Sequence, residues 1–336
     1  MDVFGHIDKG EAVHRLIISD GKLTAKVMTW GAAVQDLRLS GHEHPLVLGF
    51  QNFADYPAHS PYFGATAGRV ANRIRNGRFM LDGQDVQVER NFLGTHALHS
   101  GKQGIGKRNW QVADHGADFV RLEILDPDGQ GGFPGNVKIT NEYRIEGGAL
   151  RVLIHAETDA LTAVNIAHHS YFNLEDGGAT DCLDHDVKIA AEAITRLDDE
   201  LIPDGALALV AGTPYDFREF TAIRHDTADG PFAHDINYCV SAARTSLRPV
   251  AWAKARKSGV EMEVSTTEPG MQLYTGSKIG GRGAQGLRGR PYEAFGGFCF
   301  EAQCWPDAPN HAHFPSIELR PGKTYKQETV YAFHKI

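Results

Sequence analysis

Three segments place polar side chains on strands that otherwise read as core. In GFCFEAQCW, Phe298, Phe300 and Ala302 point to one face and Cys299, Glu301 and Gln303 to the other, because successive side chains of a strand alternate. In GMQLYTG, Met271 and Leu273 share a face, while Gln272 and Tyr274 take the opposite one. In AVNIAHHSYFNL, Val164 and Ile166 share a face with His168, whereas Asn165, Ala167 and His169 take the other. Side by side, three such strands make a polar floor on one sheet, which suits a carbohydrate cleft. A carboxylate and an imidazole on that floor are the elements of general acid–base chemistry. The carboxylate serves as base while ionised, and the imidazolium as acid because it titrates near working pH. Alternation selects His169 over its neighbour His168.

Taken singly, these residue types have ordinary roles. Glu301 alone reads as a solvated strand residue, His169 as structural, Arg73 as a surface ion-pair partner and Asp235 as a turn or cap. Tyr171, Phe172, Phe298 and Phe300 read as core packing. Seventeen histidines also invite a metal-dependent reading, with close pairs at His42/His44, His96/His99, His168/His169 and His311/His313. Adjacent strand histidines point apart, so His168/His169 is a poor chelating pair, and the other pairs lie near Gly or Pro as surface loops do.

The elements that must position these groups are short strands. Val120, Leu122 and Ile124 alternate with polar neighbours, as do Val137, Ile139, Tyr143 and Ile145, then Leu150, Val152 and Ile154. Val187, Ile189 and Ala191 continue the series, and Val260, Met262 and Val264 follow. Phe79 to Val88 reads as a hairpin turned by Asp82-Gly83, and a second is expected around Lys257-Ser258-Gly259. Helical turns are expected only within Ser60 to Asn72 and Asp198 to Asp204. The pattern predicts an all-β chain, a large antiparallel β-sandwich with few short helices, formed as one domain over residues 1–336.

Composition bounds the partners. The chain has 336 residues, 42% hydrophobic, with a formal net charge of -8 and no Lys/Arg run, which speaks against nucleic acid and anionic membranes. The N-terminus carries charges where a signal peptide needs an apolar run, so a cytoplasmic location is expected. Cys182, Cys239, Cys299 and Cys304 form no CxxC pair and read as reduced thiols.

The motifs GATAGRVANRI (64–74), ALHSG (97–101), NIAHHSYFNLE (165–175), HDINY (234–238), QLYTG (272–276) and FEAQCWPDAPN (300–310) occur in this order. With MTWGAAV near the start and ELRPGKTY near the end, they resemble the aldose 1-epimerase, or galactose mutarotase, family over nearly the whole chain. The resemblance implies an antiparallel β-sandwich with a sugar in a cleft on one sheet, and no metal or organic cofactor. It implies Glu301 as catalytic base and His169 as catalytic acid. It further implies Arg73, Asn72, His99, Asp235 and Gln272 as substrate-binding residues. The chain departs from the family pattern at Ser100, where a Gly is usual, and at Ala167-His168, where Thr-Asn is common. It also has Ile236 where a His is usual after the Asp.

Interconverting anomers requires a proton to leave the C1 hydroxyl and another to reach the ring oxygen, on opposite sides of the anomeric centre. The ring then opens to an aldehyde, C1–C2 rotates, and closure runs the transfers backwards. Each catalytic group contributes ~10²–10⁴-fold. The implied substrate is a neutral aldohexose such as glucose or galactose, because Arg69 and Arg73 are the only Lys or Arg residues in the six motifs. The implied assembly is a monomer or homodimer. Two other classes compete: a non-catalytic carbohydrate-binding module, and a metal-dependent, His-rich β-sandwich enzyme. Glu301 and His169 being present together disfavours the former.

Overall fold

The computed structural model describes residues 1–7, 10–280 and 283–335. Its elements are almost entirely strands, and the pairings between them are antiparallel. Nine strands form the largest sheet, in the order Gln111–His115, Phe119–Asp126, Val137–Glu146, Ala149–Thr158, Tyr325–Lys335, Val260–Thr266, Arg248–Lys254, Asp186–Ile189 and Thr221–Ala222. Their alternating residues were legible in sequence because one face of each strand is buried, although the Val187 run stops at Ile189 before reaching Ala191. A second sheet has five strands in the order Pro203–Leu209, Ala193–Leu197, Asp235–Cys239, Gly270–Tyr274 and Cys299–Gln303. A third, four-stranded sheet is built from Asp2–His6, Ala12–Ser19, Leu23–Met28 and Ala33–Leu39.

One apolar core joins the sheets. Val120, Ile139, Val152, Val264 and Tyr331 of the nine-stranded sheet pack in the same cluster as Ile236, Met271, Leu273, Phe300 and Ala302 of the five-stranded sheet. Polar ties cross this layer, since the Tyr331 hydroxyl donates to the Phe300 carbonyl at 3.0 Å and Gln327 Nε2 to the Ala302 carbonyl at 2.9 Å. The expected hairpin pairs Arg78–Leu81 with Gln84–Gln87. Asp82 and Gly83 turn it with φ of 49° and 77°, as a tight two-residue turn demands.

The two helical expectations fail. The α-helix is Asp55–His59, just before the segment read as helical. Within residues 60–72 a short strand forms instead, Ala65–Ala67, which pairs with Ala167–His169. At Asp198 the chain makes a turn rather than a helix, because its Oδ1 accepts from the backbone N–H groups of Glu200 and Ile202 at 3.0 Å each. No helix among the described residues is long and apolar enough to cross a membrane.

Candidate active site

The last three strands of the five-stranded sheet set Asp235 opposite Tyr274 and Tyr274 opposite Cys299. The next row is Asn237, Gln272 and Glu301, and the third is Cys239, Gly270 and Gln303. Because the period is two, these nine positions share one face, and the alternate rows Ile236–Leu273–Phe300 and Tyr238–Met271–Ala302 form the core face behind them. Gly270 leaves room on this face: a Cβ would stand 2.4 Å from Asn237 Oδ1 and 3.0 Å from the Gln303 carbonyl, so the Asn237 side chain would have to move. Ile236, where the family usually has His, lies on the core face. The departure is therefore behind the floor, and Asp235 faces the cleft.

The Ala167–His169 strand runs beside this floor, with Phe172 bridging to Phe298. His168 and His169 separate as alternation requires. His168 enters the core, paired with Tyr143 Oη and Ser170 Oγ. His169 reaches the cleft, with Nε2 3.5 Å from Glu301 Oε2. The side wall comes from a clasp. Asn72, at φ 62°, donates its backbone N–H to His99 Nδ1 at 3.1 Å, and the His99 N–H donates to the Asn72 carbonyl at 3.0 Å. Asn72 Oδ1 accepts from the Arg73 N–H at 2.9 Å, which leaves its side-chain NH₂ as a donor. Since His99 Nδ1 accepts, the neutral ring carries its proton on Nε2. Ser100, a departure from the family Gly, clips Val70 by accepting from its N–H at 2.8 Å and donating to its carbonyl at 3.2 Å.

These elements bring Glu301, His169, Arg73, Asn72, His99, Asp235 and Gln272 around one cavity of about 300 Å³, a size within the range of small-ligand sites. Arg73 donates to Asp235 Oδ2 and Gln272 Nε2 to Asp235 Oδ1, each at 2.7 Å. That carboxylate is thus held bidentately at the edge of the floor. The residues that sequence reading missed are aromatic or lie just past a motif: Tyr62, Phe92, Tyr171 and Lys278 also line the cavity. Tyr171 was read as core, yet the alternation that selected His169 puts the residue two positions on in the same direction. Tyr274 lines the cleft as well, whereas Trp305 packs against Phe314 and does not.

Burial dominates the electrostatics. Glu301 is 2% exposed and its Oε2 has no hydrogen-bond partner among the described residues. Burial, reinforced by the charge of Asp235, pushes its carboxyl well above the usual range, and Arg73 works against this. Burial also pushes His169 down to about 4, opposed by its own carbonyl and by Asp235. His99 is held well below its usual range by burial and by the neighbouring His169 and Arg73. Both shifts work against the carboxylate–imidazolium pair expected from sequence, because burial favours the uncharged form of each group. The two groups stand side by side at the floor of the cleft, 3.5 Å apart.

His169, Cys299 and Glu301 are the one set of three metal-ligand types drawn together among the described residues, within 4.8 Å. Cys299 meets Nδ1 at 3.5 Å whereas Glu301 meets Nε2, so the set is arranged around the imidazole rather than around a common point. None of the loop histidine pairs joins it. His96 and His99 are not on a surface loop as expected but buried, each accepting a backbone N–H.

Residues 14–332 match the family model described as aldose 1-epimerase. The chain is 38% identical to a galactose mutarotase of Rattus norvegicus, over 98% of this chain and 97% of that protein. It is 32% identical to an aldose 1-epimerase of Escherichia coli, over 93% and 92% respectively. Its fold superposes on an aldose epimerase homologue from C. elegans with a TM-score of 0.89 and 29% identity, covering 97% of this chain and all of that one. By sequence and by fold, then, the chain belongs to the aldose 1-epimerase family.

Proposed function

We infer that the chain is an aldose 1-epimerase, an isomerase that opens and recloses a sugar ring, and we propose that Glu301 and His169 move the two protons. The activity follows from its galactose mutarotase and aldose 1-epimerase relatives. The observation that carries the residue roles is the unpartnered Glu301 oxygen, buried 3.5 Å from His169 Nε2 at the floor of the cleft. The oxygens to be served, the C1 hydroxyl and the ring oxygen, are bonded to the same carbon. Acid and base standing side by side suit such a pair.

Proton accounting supports the same roles. With the ring closed, Glu301 is ionised and His169 protonated. Glu301 takes the hydroxyl proton as His169 gives one to the ring oxygen, and the C1–O5 bond breaks. The open aldehyde then faces a protonated Glu301 and a neutral His169, the uncharged forms that burial favours. Reclosure after rotation about C1–C2 returns both protons. Arg73 and the Nε2–H of His99 place donors near developing oxygen charge. Asp235, Asn72 and Gln272 hold hydroxyls in register. The substrate is a neutral aldohexose such as glucose or galactose. Arg69 is spent on Asp126 away from the cleft and Arg73 on Asp235, leaving Lys278 at the exposed mouth as the cleft's remaining cation. One unit over residues 1–336 fits a cleft whose lining runs from Pro61 to Glu301.

Glu301→Gln tests the reading. It keeps the fold and the sugar affinity while slowing anomer exchange of freshly dissolved α-anomer by ~10²–10⁴-fold in polarimetry. Near-wild-type turnover sinks the base assignment. Sugar binding by the wild type without faster exchange means a binding module instead.

A further inference from the structure

His169 stacks with two tyrosine rings. Tyr171 lies 5.0 Å from it with the ring planes 21° apart, and Tyr62 lies 5.9 Å away with planes 18° apart. Stacking sets the plane of an imidazole but not which nitrogen carries the proton. That is decided at its edges, where Cys299 Sγ meets Nδ1 at 3.5 Å and Glu301 Oε2 meets Nε2 at 3.5 Å. A thiol is a weak donor and a weak acceptor, so the contact alone allows either direction. The reaction removes the ambiguity. If Nε2, beside Glu301, is the nitrogen that gives up and recovers a proton, Nδ1 must stay protonated in both states and needs an acceptor. Among the described residues Cys299 Sγ is the only side-chain atom hydrogen-bonded to Nδ1, with the backbone carbonyl of His169 itself as a second acceptor.

We propose that Cys299 is a positioning residue whose sulfur accepts a hydrogen bond from the His169 Nδ1–H, keeping Nε2 as the nitrogen that exchanges a proton with the sugar. The inference rests on the acid role of His169 given above. Cys299 is fully buried and its thiol is pushed well above the usual range by burial, so the sulfur stays neutral. A carboxylate at that position would stabilise the imidazolium and make it a weaker acid. A neutral sulfur orients the ring without that cost, which suits a histidine that must release its proton to an ether oxygen.

The test is the tautomer of His169 in ¹⁵N-histidine-labelled enzyme, read by NMR at neutral pH without sugar and assigned by its loss in His169→Asn. The expected state has Nδ1 protonated and Nε2 bare. Cys299→Ala should mix the tautomers and lower kcat about tenfold with KM within about twofold, the effect of one neutral hydrogen bond. Cys299→Ser, which keeps an acceptor, should recover most of both. A wild-type His169 protonated on Nε2 overturns the proposal, as does a Cys299→Ala enzyme with unchanged kcat and tautomer. If Cys299→Ala fails to fold, the wild-type tautomer and Cys299→Ser decide. The tautomer is measured without turnover, so a protein that fails to speed anomer exchange refutes the functional reading and leaves this test standing.

Discussion

His168 and His169 are consecutive, both buried, and both driven by burial towards the neutral form, to about 3 and about 4. They differ in what meets their nitrogens. His168 has both satisfied, by Tyr143 Oη at 3.3 Å and Ser170 Oγ at 2.8 Å, with the Tyr331 ring against it. His169 has a weak sulfur partner on one side and a carboxyl oxygen with no hydrogen bond on the other. A buried polar group that finds all its partners holds the fold together. One left half-satisfied at the floor of a cavity costs stability, and is placed to spend its remaining valence on a ligand.

That contrast breaks most visibly under paired substitution. His169→Asn should slow anomer exchange by ~10²–10⁴-fold with little change in unfolding free energy, since only a weak partner is lost. His168→Asn should do the reverse. Turnover per folded molecule stays within a few fold while stability falls by about 1–3 kcal/mol, because two buried hydroxyls lose a partner. Comparable activity losses in both would mean that alternation does not divide chemistry from structure here. Arg73→Met gives the next largest effect. It unpairs Asp235 and removes the one cation that lowers the Glu301 carboxyl. KM should rise, and the acid limb of the kcat/KM profile should move to higher pH, since losing a nearby positive charge makes Glu301 harder to ionise. An unmoved limb would separate Arg73 from Glu301.

How much of this was legible in the sequence follows from the range of each interaction. Period-two alternation is local, and it separated Glu301 from Phe300 and His169 from His168 correctly. The rows of the floor were not legible, because Gln272 meeting Glu301 depends on register between strands. Nor was the Asn72–His99 clasp, which joins residues 27 apart through two left-handed backbone positions. Tyr171 is buried in a core cluster, as read, and it also lines the cavity, which depends on walls contributed from elsewhere in the chain. The segment 60–72 failed as a helix for a similar reason: a strand contributed a hundred residues later claims its backbone hydrogen bonds. Lys278 escaped notice by lying two residues beyond a recognised string.

The smallest effect separates the two histidines by proton count. His168 takes a proton at about 6.5 when unfolded but only at about 3 when folded. Between those values the unfolded state binds the extra proton, so stability rises with pH by up to about 1.4 kcal/mol per unit. His169 alone would act likewise from about 4 to 6.5. Glu301 opposes it: its folded pKa is raised above 4.5, so the folded state binds the extra proton and stability falls as pH rises. Above pH 4.5 the slope from the raised Glu301 carboxyl therefore works against the slope from His169 and offsets part of it. Denaturant titrations between pH 5 and 6 should accordingly show a flatter pH dependence in His168→Asn than in the wild type. The double variant His169→Asn/Glu301→Gln removes two opposing slopes and should change the wild-type slope less than His168→Asn does. If the double variant flattens it as much as His168→Asn does, the two cleft groups do not offset each other.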